Sequence, residues 1–166
     1  MIELLVVVTL LGVLLTLGAT AFRRYWLVQS LDGAQDELIA QVRQRQEQAV
    51  SESHPLVFGI RVLEGSSDWG ILEYIPDTDP LVAGNQESCP QRETLRFSTS
   101  VQVSTADFAS SPEATFCASV HGAASDYVFF YPRGTATGGT LTLLHPEISG
   151  TRSIVVSPIT GRVQQS

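Results

Sequence analysis

The sequence has 166 residues, a formal net charge of -7 at pH 7 and 43% hydrophobic residues. A chain of this length accommodates about one globular domain plus an appendage. All 10 positive charges are arginines, and an acidic protein repels phosphate backbones at long range, so general nucleic-acid binding is disfavoured while a local arginine site is not excluded.

An apolar segment without any charged side chain spans residues 4–22. As an α-helix this segment is about 28 Å long, which matches the roughly 30 Å hydrocarbon core of a bilayer. A cleaved signal peptide would have a shorter apolar region, a positive flank before it and a small-residue cleavage site after it. Because Glu3 precedes the segment and Arg23 and Arg24 follow it, we predict a retained membrane-spanning helix. The two arginines, on the presumed outer side, oppose the positive-inside tendency.

The helical pattern continues beyond the apolar segment. Apolar residues recur at intervals of three, four and seven, at Leu27, Leu31, Ala34, Leu38, Val42 and Ala49. That spacing is typical of one face of an amphipathic helix, and no proline occurs before Pro55. We therefore predict one continuous helix from about residue 3 to about residue 52, roughly 75 Å long, whose apolar face packs on the rest of the chain.

Residues beyond Pro55 alternate with a period of two, which is typical of β-strands. The predicted strands are 56–63, 69–75, 94–104, 114–120, 126–131, 139–144, 152–157 and a short one at 161–163, separated by turn-forming residues. Many short strands indicate an antiparallel sheet or a sandwich. The predicted fold class is α+β, with a long N-terminal helix, transmembrane over 1–22 and amphipathic over 23–53, packed on a β-rich globular domain at 54–166.

The two cysteines, Cys89 and Cys117, are not in a metal-like spacing. If the body is exported, an oxidised pair is the natural expectation, and loop closure would then contribute roughly 3–4 kcal/mol of stability. The alternative is two unrelated buried thiols.

Residues 1–14, Met-Ile-Glu-Leu-Leu-Val-Val-Val-Thr-Leu-Leu-Gly-Val-Leu, resemble the mature N-terminus of type IV pilins and type II secretion pseudopilins. In that family a prepilin peptidase cuts before a Phe-Thr-type dipeptide, the new N-terminus is methylated, and Glu3 matches the family glutamate. By this match the sequence begins two residues late, which leaves the methylated residue unassigned. The resemblance implies assembly into a filament through Glu3, Leu4, Leu5, Leu11 and Gly12.

Glu3 has two interpretations. A carboxylate at the start of an apolar helix is costly in lipid, although the helix N-terminus softens that cost. Glu3 either lies at headgroup level without a further role or pairs with a partner's positive group, such as the N-terminal amine of a neighbouring subunit. Many family members also have a proline near the position of Thr20, where the helix loosens in the filament; here Gly12 and Gly18 are the weak points.

Residues 128–134 with 138–143, and 152–157 with 161–163, are similar to the late strands of H-type minor pseudopilins and of related transformation-type minor pilins. The resemblance implies a structural subunit of a type IV pilus-like or type II secretion pseudopilus filament. Its partners would be copies of itself or other pilins and pseudopilins, with a prepilin peptidase and an assembly platform. The subunit would lie in the bacterial inner membrane before assembly and in a periplasmic or extracellular filament afterwards. Residues 76–125 are expected to form member-specific surface.

Two alternatives stay open. A DNA-binding minor pilin of a competence pilus would need exposed arginines, for which Arg133, Arg152 and Arg162 are the candidates, although the net charge argues against DNA as a partner. The other alternative is a membrane-anchored binding module that never polymerises.

The sequence has no recognisable catalytic or metal-binding motif. Its histidines, His54, His121 and His145, are far apart, and there is no HExxH motif, Cys–His cluster or EF-hand. The segment 77–79 could offer two carboxylates to calcium, but an acidic turn is the simpler interpretation. The serines at 98–111 could accept O-linked sugars, with a plain polar loop as the alternative. We therefore expect no enzymatic activity, no cofactor and no metal.

Overall fold

The computed structural model describes residues 2–52, 57–77, 87–97 and 100–166. The long N-terminal helix α1 spans Ile2–Ser51 and a short helix α2 spans Pro112–His121. The strands are β1 Val57–Leu63, β2 Asp68–Tyr74, β3 Gln91–Arg96, β4 Gln102–Phe108, β5 Ser125–Phe130, β6 Gly139–Leu144, β7 Thr151–Val156 and β8 Val163–Gln165. The predicted α+β class is confirmed.

Helix α1 is continuous over 50 residues, about 75 Å, as predicted. The chain carries no proline that would remove a helical hydrogen bond there. Within the apolar half, the hydroxyls of Thr9 and Thr16 donate to the carbonyls of Val6 and Val13 at 2.9 and 2.8 Å. These hydroxyl donors therefore need no external partner in an apolar environment.

The strands form two antiparallel sheets. The first has the order β3-β2-β1-β5 and the second the order β4-β6-β7-β8. In the first sheet Ile60 lies opposite Ile71 on one side and Val128 on the other, and in the second Leu141 lies opposite Ile154. These in-register apolar rows give each sheet one continuous face that must be buried.

The main core lies between α1 and the two sheets. Its apolar residues from α1 are Leu31, Ala34, Leu38, Ile39, Val42 and Ala49. The first sheet adds Phe58, Ile60, Val62, Trp69, Ile71, Val128 and Phe130, and the second adds Val103, Leu141, Leu143, Ile154 and Val156. All the predicted stripe residues are buried except Leu27, which is half-buried at the edge.

The opposite face of the first sheet is buried as well. Helix α2 covers it, and a second apolar cluster forms around Val57, Leu72, Tyr74, Cys89, Cys117, Tyr127 and Phe129. The Phe129 ring lies so close to β1 that a Cβ at Gly59 would be 2.5 Å from its Cε1. Glycine at position 59 is therefore required for the aromatic packing that holds this cluster together.

Two strand predictions are wrong. The predicted strand at 114–120 is helical, because Ser111 caps α2 by accepting a hydrogen bond from the Ala114 amide and Pro112 occupies the first turn. The predicted strand at 94–104 is divided between β3 and β4, which belong to different sheets. The last strand begins at Val163 instead of residue 161. Residue 56, at the start of the first predicted strand, lies outside the described residues.

Candidate functional site

The N-terminal half of α1 projects from the body and is exposed. Every described side chain from Glu3 to Trp26 is exposed, including Leu4 at 72% and Leu15 at 71%. The other large apolar side chains exposed there are Val6, Val7, Val8, Leu10, Leu11, Val13, Leu14 and Phe22. So large a contiguous apolar surface marks a membrane or protein interaction site.

The predicted assembly residues lie on this exposed half. Glu3 is in the first turn of α1, where the free amides of a helix N-terminus favour a carboxylate. Leu4 and Leu11 are exposed, and a Cβ at Gly12 would meet nothing within 4 Å. The side chain of Leu5 lies outside the described residues. Glu3 therefore stands at one end of a rod whose sides can bury apolar area against neighbours.

Among the described residues, one helix is long and apolar enough to cross a membrane by length and composition. It covers Val6–Ser51, and its most apolar window has a mean hydropathy of 1.9, with none of that window buried in the fold. The exposed half thus has the properties expected of a segment solvated by lipid or by other apolar helices.

Polar contacts fix the second half of α1 on the second sheet. The Arg152 guanidinium donates to the Asp32 carboxylate at 2.6 Å, and Gln35 Nε2 donates to the Ser153 carbonyl at 2.9 Å. Further along, Gln46 Nε2 donates to the Thr160 carbonyl at 3.0 Å. Gln35 is buried, so its hydrogen bond satisfies an amide that would otherwise be costly to bury.

The junction between the exposed and docked halves has its own cluster of side chains. Arg23 forms an ion pair with Glu147 at 2.6 Å, and Arg24 follows it on the helix. Tyr25 and Trp26 are exposed, and Trp26 meets Phe22 edge to face with ring centroids 6.0 Å apart. Aromatic and arginine side chains just beyond an apolar helix are typical of a membrane–water boundary.

The three arginines considered for DNA do not form one patch. Arg152 is engaged with Asp32 beside the middle of α1. Arg133 and Arg162 are exposed and lie in two neighbouring loops. The loops are in close contact, because a Cβ added at Gly161 would be 2.9 Å from the Gly134 carbonyl oxygen. That meeting point lies beside Gln46, about 20 Å along the helix axis from Asp32.

The disulfide lies inside the second apolar cluster, where Cys89 is joined to Cys117 with a Cα–Cα distance of 5.6 Å. It attaches α2 to the segment before β3. Next to it, burial raises the pKa of the Tyr74 phenol, with a further contribution from its hydrogen bond to Glu87. Burial also raises the pKa of Tyr127, which packs parallel to Phe129. These phenols therefore stay neutral and act as packing groups.

Two of the three histidines, His121 and His145, contact backbone atoms of the body through a ring nitrogen. His121 Nε2 lies 2.6 Å from the Cys89 carbonyl, and His145 is buried with Nδ1 accepting from the Glu147 amide at 3.2 Å. His54, most of the 77–79 segment and residues 98–99 of the serine-rich stretch lie outside the described residues. Within the described ranges no group of His, Cys, Asp and Glu side chains could hold a metal ion.

The Asp126 carboxyl, at the body surface, has a pKa above its ordinary value. Burial raises the pKa of Asp126, and the nearby charges of Glu64 and Asp107 raise it further. The Glu64 carboxylate itself accepts a hydrogen bond from the Ala106 amide at 3.0 Å, which ties β4 to the turn after β1.

A family model described as type II transport protein GspH matches residues 34–161, well over half of the chain. Two solved structures of the minor pseudopilin EpsH from the type II secretion system of Vibrio cholerae are similar in fold. The alignment with the first structure, at 15% sequence identity, covers 81% of this chain and 93% of the EpsH chain, with a TM-score of 0.50. The alignment with the second, at 14% identity, covers 82% of this chain and 92% of the EpsH chain, with a TM-score of 0.49. A comparison with curated protein sequences gives no significant match.

Proposed function

Because the chain belongs to the GspH family of type II transport proteins and is an H-type minor pseudopilin, a structural subunit of a pilus-like filament, we propose that it assembles by transferring residues 4–22 from lipid into a bundle of equivalent helices. The observation that carries this proposal is the exposure of every described side chain in the apolar half of α1, beside a second half that is docked on the body. The transfer keeps apolar area out of water throughout, because lipid and a helix bundle are both apolar.

The chain divides into three parts in this proposal. Residues 1–22 form the membrane and filament-core segment, 23–53 the amphipathic half of the helix, and 54–166 the β-rich domain. Before assembly the subunit lies in the bacterial inner membrane with its body in the periplasm, and afterwards it is part of a periplasmic filament. The family resemblance implies a prepilin peptidase and an assembly platform as transient partners, and other pseudopilins as lasting ones. The role is mechanical and uses no catalytic group.

Glu3 supplies the polar contact of assembly in this proposal. In the filament its carboxylate would be neutralised by the N-terminal ammonium of a neighbouring subunit. A partly buried ion pair of this kind sets register more than it adds net stability. A Glu3→Ala variant should therefore insert into membranes normally and fail to join the filament in register. Glu37→Ala, which removes an exposed acid from the docked half of the helix, is the matched control and should assemble normally.

Cross-linking separates assembly from a solitary anchored module. Cys89 and Cys117 are bonded to each other, so a cysteine introduced at the exposed positions Leu11 or Leu15 would be the only free thiol. With the secretion machinery present, these variants should give specific cross-links to other pseudopilins. Cross-linking no greater than in membranes without the machinery, or regular filaments from the Glu3→Ala variant, would contradict the proposal.

DNA binding has less support in the geometry. Arg152 is paired with Asp32, and only Arg133 and Arg162 remain as exposed neighbours in an acidic chain. Salt-dependent retention of DNA by the purified protein would reverse this assessment, because phosphate contacts release counterions and weaken with added salt.

A further inference from the structure

A cleft of about 630 Å³ lies where α1 leaves its apolar segment, between the helix and the loop that joins β6 to β7. Arg23, Arg24, Leu27 and Val28 line it from the helix, and Glu147 and Ile148 line it from the loop. Ile148 is partly buried against the main core, so the loop side of the cleft is held by the body.

The cleft lies at the level of lipid headgroups if residues 4–22 span the bilayer. At 1.5 Å per residue, Arg24 is about 3 Å beyond the end of the apolar segment, whereas a headgroup layer is roughly 5–8 Å thick. The Arg23–Glu147 ion pair brings the β6–β7 loop to the same height. The exposed Tyr25 and Trp26 next to it are residues that favour this layer.

Among the described residues, the cleft holds one arginine side chain, that of Arg24, with no acidic or hydrogen-bonding partner. Arg23 is paired with Glu147, and Arg152 at the cleft margin is paired with Asp32. The Arg24 side chain forms no hydrogen bond or ion pair with any residue in the described part of the chain. It precedes Leu31 by seven residues, so it lies on the same helix face as the docked stripe, beneath the body.

The surroundings of Arg24 fit a phosphodiester attached to an apolar tail. A guanidinium presents paired donors that match phosphate oxygens, and Leu27, Val28 and Ile148 provide an apolar wall beside it. The position also accounts for arginines on the outer side of the span, where the positive-inside tendency gives no reason for them.

We propose that this cleft binds the headgroup of an anionic phospholipid from the outer leaflet of the membrane that α1 spans. The phosphate lies on Arg24 and the start of the acyl chains lies along Leu27, Val28 and Ile148. The inference rests on the proposed function, since it requires residues 4–22 to be in the bilayer. The bound lipid holds the body at a fixed height and orientation before the helix is extracted into the filament.

The test uses the full chain reconstituted into nanodiscs of phosphatidylcholine with or without phosphatidylglycerol. Native mass spectrometry then counts the lipids that each protein molecule retains after release. The wild type should retain one phosphatidylglycerol, and Arg24→Gln should reduce that retention about tenfold, because a charged hydrogen bond is lost. Arg24→Lys keeps the charge without the paired donors and should give intermediate retention.

Arg43→Gln is the matched control, since Arg43 is an exposed arginine of the same helix about 28 Å further along its axis. It should retain lipid as the wild type does. Equal retention of phosphatidylcholine and phosphatidylglycerol by the wild type would overturn the proposal. So would displacement by inorganic phosphate, which would indicate a soluble-anion site. If Arg24→Gln kept its lipid but lost cross-links to other pseudopilins, the cleft would be a subunit interface instead.

Insertion into nanodiscs separates the proposed membrane anchoring by α1 from the proposed lipid site. Failure of the wild type to insert into nanodiscs would overturn both the anchored function and the lipid site. Normal insertion without selective lipid retention would overturn the lipid site alone and leave assembly through α1 intact.

Discussion

Removing the Cys89–Cys117 disulfide should lower the stability of the body substantially. The two cysteines are 28 residues apart, and the loop they close contains β3, β4 and half of α2. The chain-entropy relation gives about 3.5 kcal/mol for a loop of that length. For a body of this size, roughly 4 °C per kcal/mol then predicts a fall in melting temperature of about 14 °C.

The assay is urea unfolding of the full chain in detergent, followed by the fluorescence of the buried Trp69. The variant Cys89→Ala/Cys117→Ala and the reduced wild type should lose similar free energies of unfolding. Both should also show a larger dependence on urea, since an unlinked unfolded chain exposes more surface. A loss below about 1 kcal/mol with an unchanged urea dependence would refute the loop-closure argument, and a much larger loss in the double variant alone would assign the effect to packing.

Leu38→Ala should destabilise the docked half of α1 by about 2–5 kcal/mol, because Leu38 is fully buried in the main core. Glu37→Ala on the exposed side should change the free energy of unfolding by less than about 0.5 kcal/mol, and equal effects would contradict the docking. The folded pKa of Asp126 is raised above its ordinary value of 3.8, so its contribution to stability is present below that pH and lost as pH rises through the folded pKa. Asp126→Asn should therefore flatten that part of the stability–pH profile and be more stable than the wild type at neutral pH, and an unchanged profile would contradict the assignment.

The helix and its buried face could be predicted because they depend on local periodicity. Leu31, Leu38 and Val42 recur on one face, and the structure buries all three. The start of α2 also had a local signal, since a serine before a proline is a helix N-terminus pattern. The β-branched and aromatic residues that follow, including Thr115 and Phe116, favoured a strand. Packing of Cys117 and its neighbours on the first sheet decided in favour of the helix.

The crossing between the two sheets and the ion pairs of the body depend on contacts between residues distant in sequence, which no local sequence pattern indicates. The segment 94–104 contains no glycine or proline, so nothing in it indicates that the chain leaves one sheet for the other. The crossing is fixed by Phe97 and Val101, which are buried in the main core. The ion pairs Arg23–Glu147 and Arg152–Asp32 join residues more than a hundred positions apart. Arg152 therefore looked free in the sequence, although the fold engages it.

The contacts of the docked half determine how the exposed half faces its neighbours. Asp32 and Gln35 contact β7 of the second sheet, and Gln46 contacts the loop between β7 and β8. At 100° per residue the three side chains lie within about 60° of one another around the helix axis. They extend over about 20 Å, so together they prevent rotation of α1 against the body. Because α1 is continuous through residue 20, the position of each apolar side chain in the exposed half is fixed relative to the surface of the domain. When such helices bundle, the register of the rods therefore also sets which domain surfaces meet.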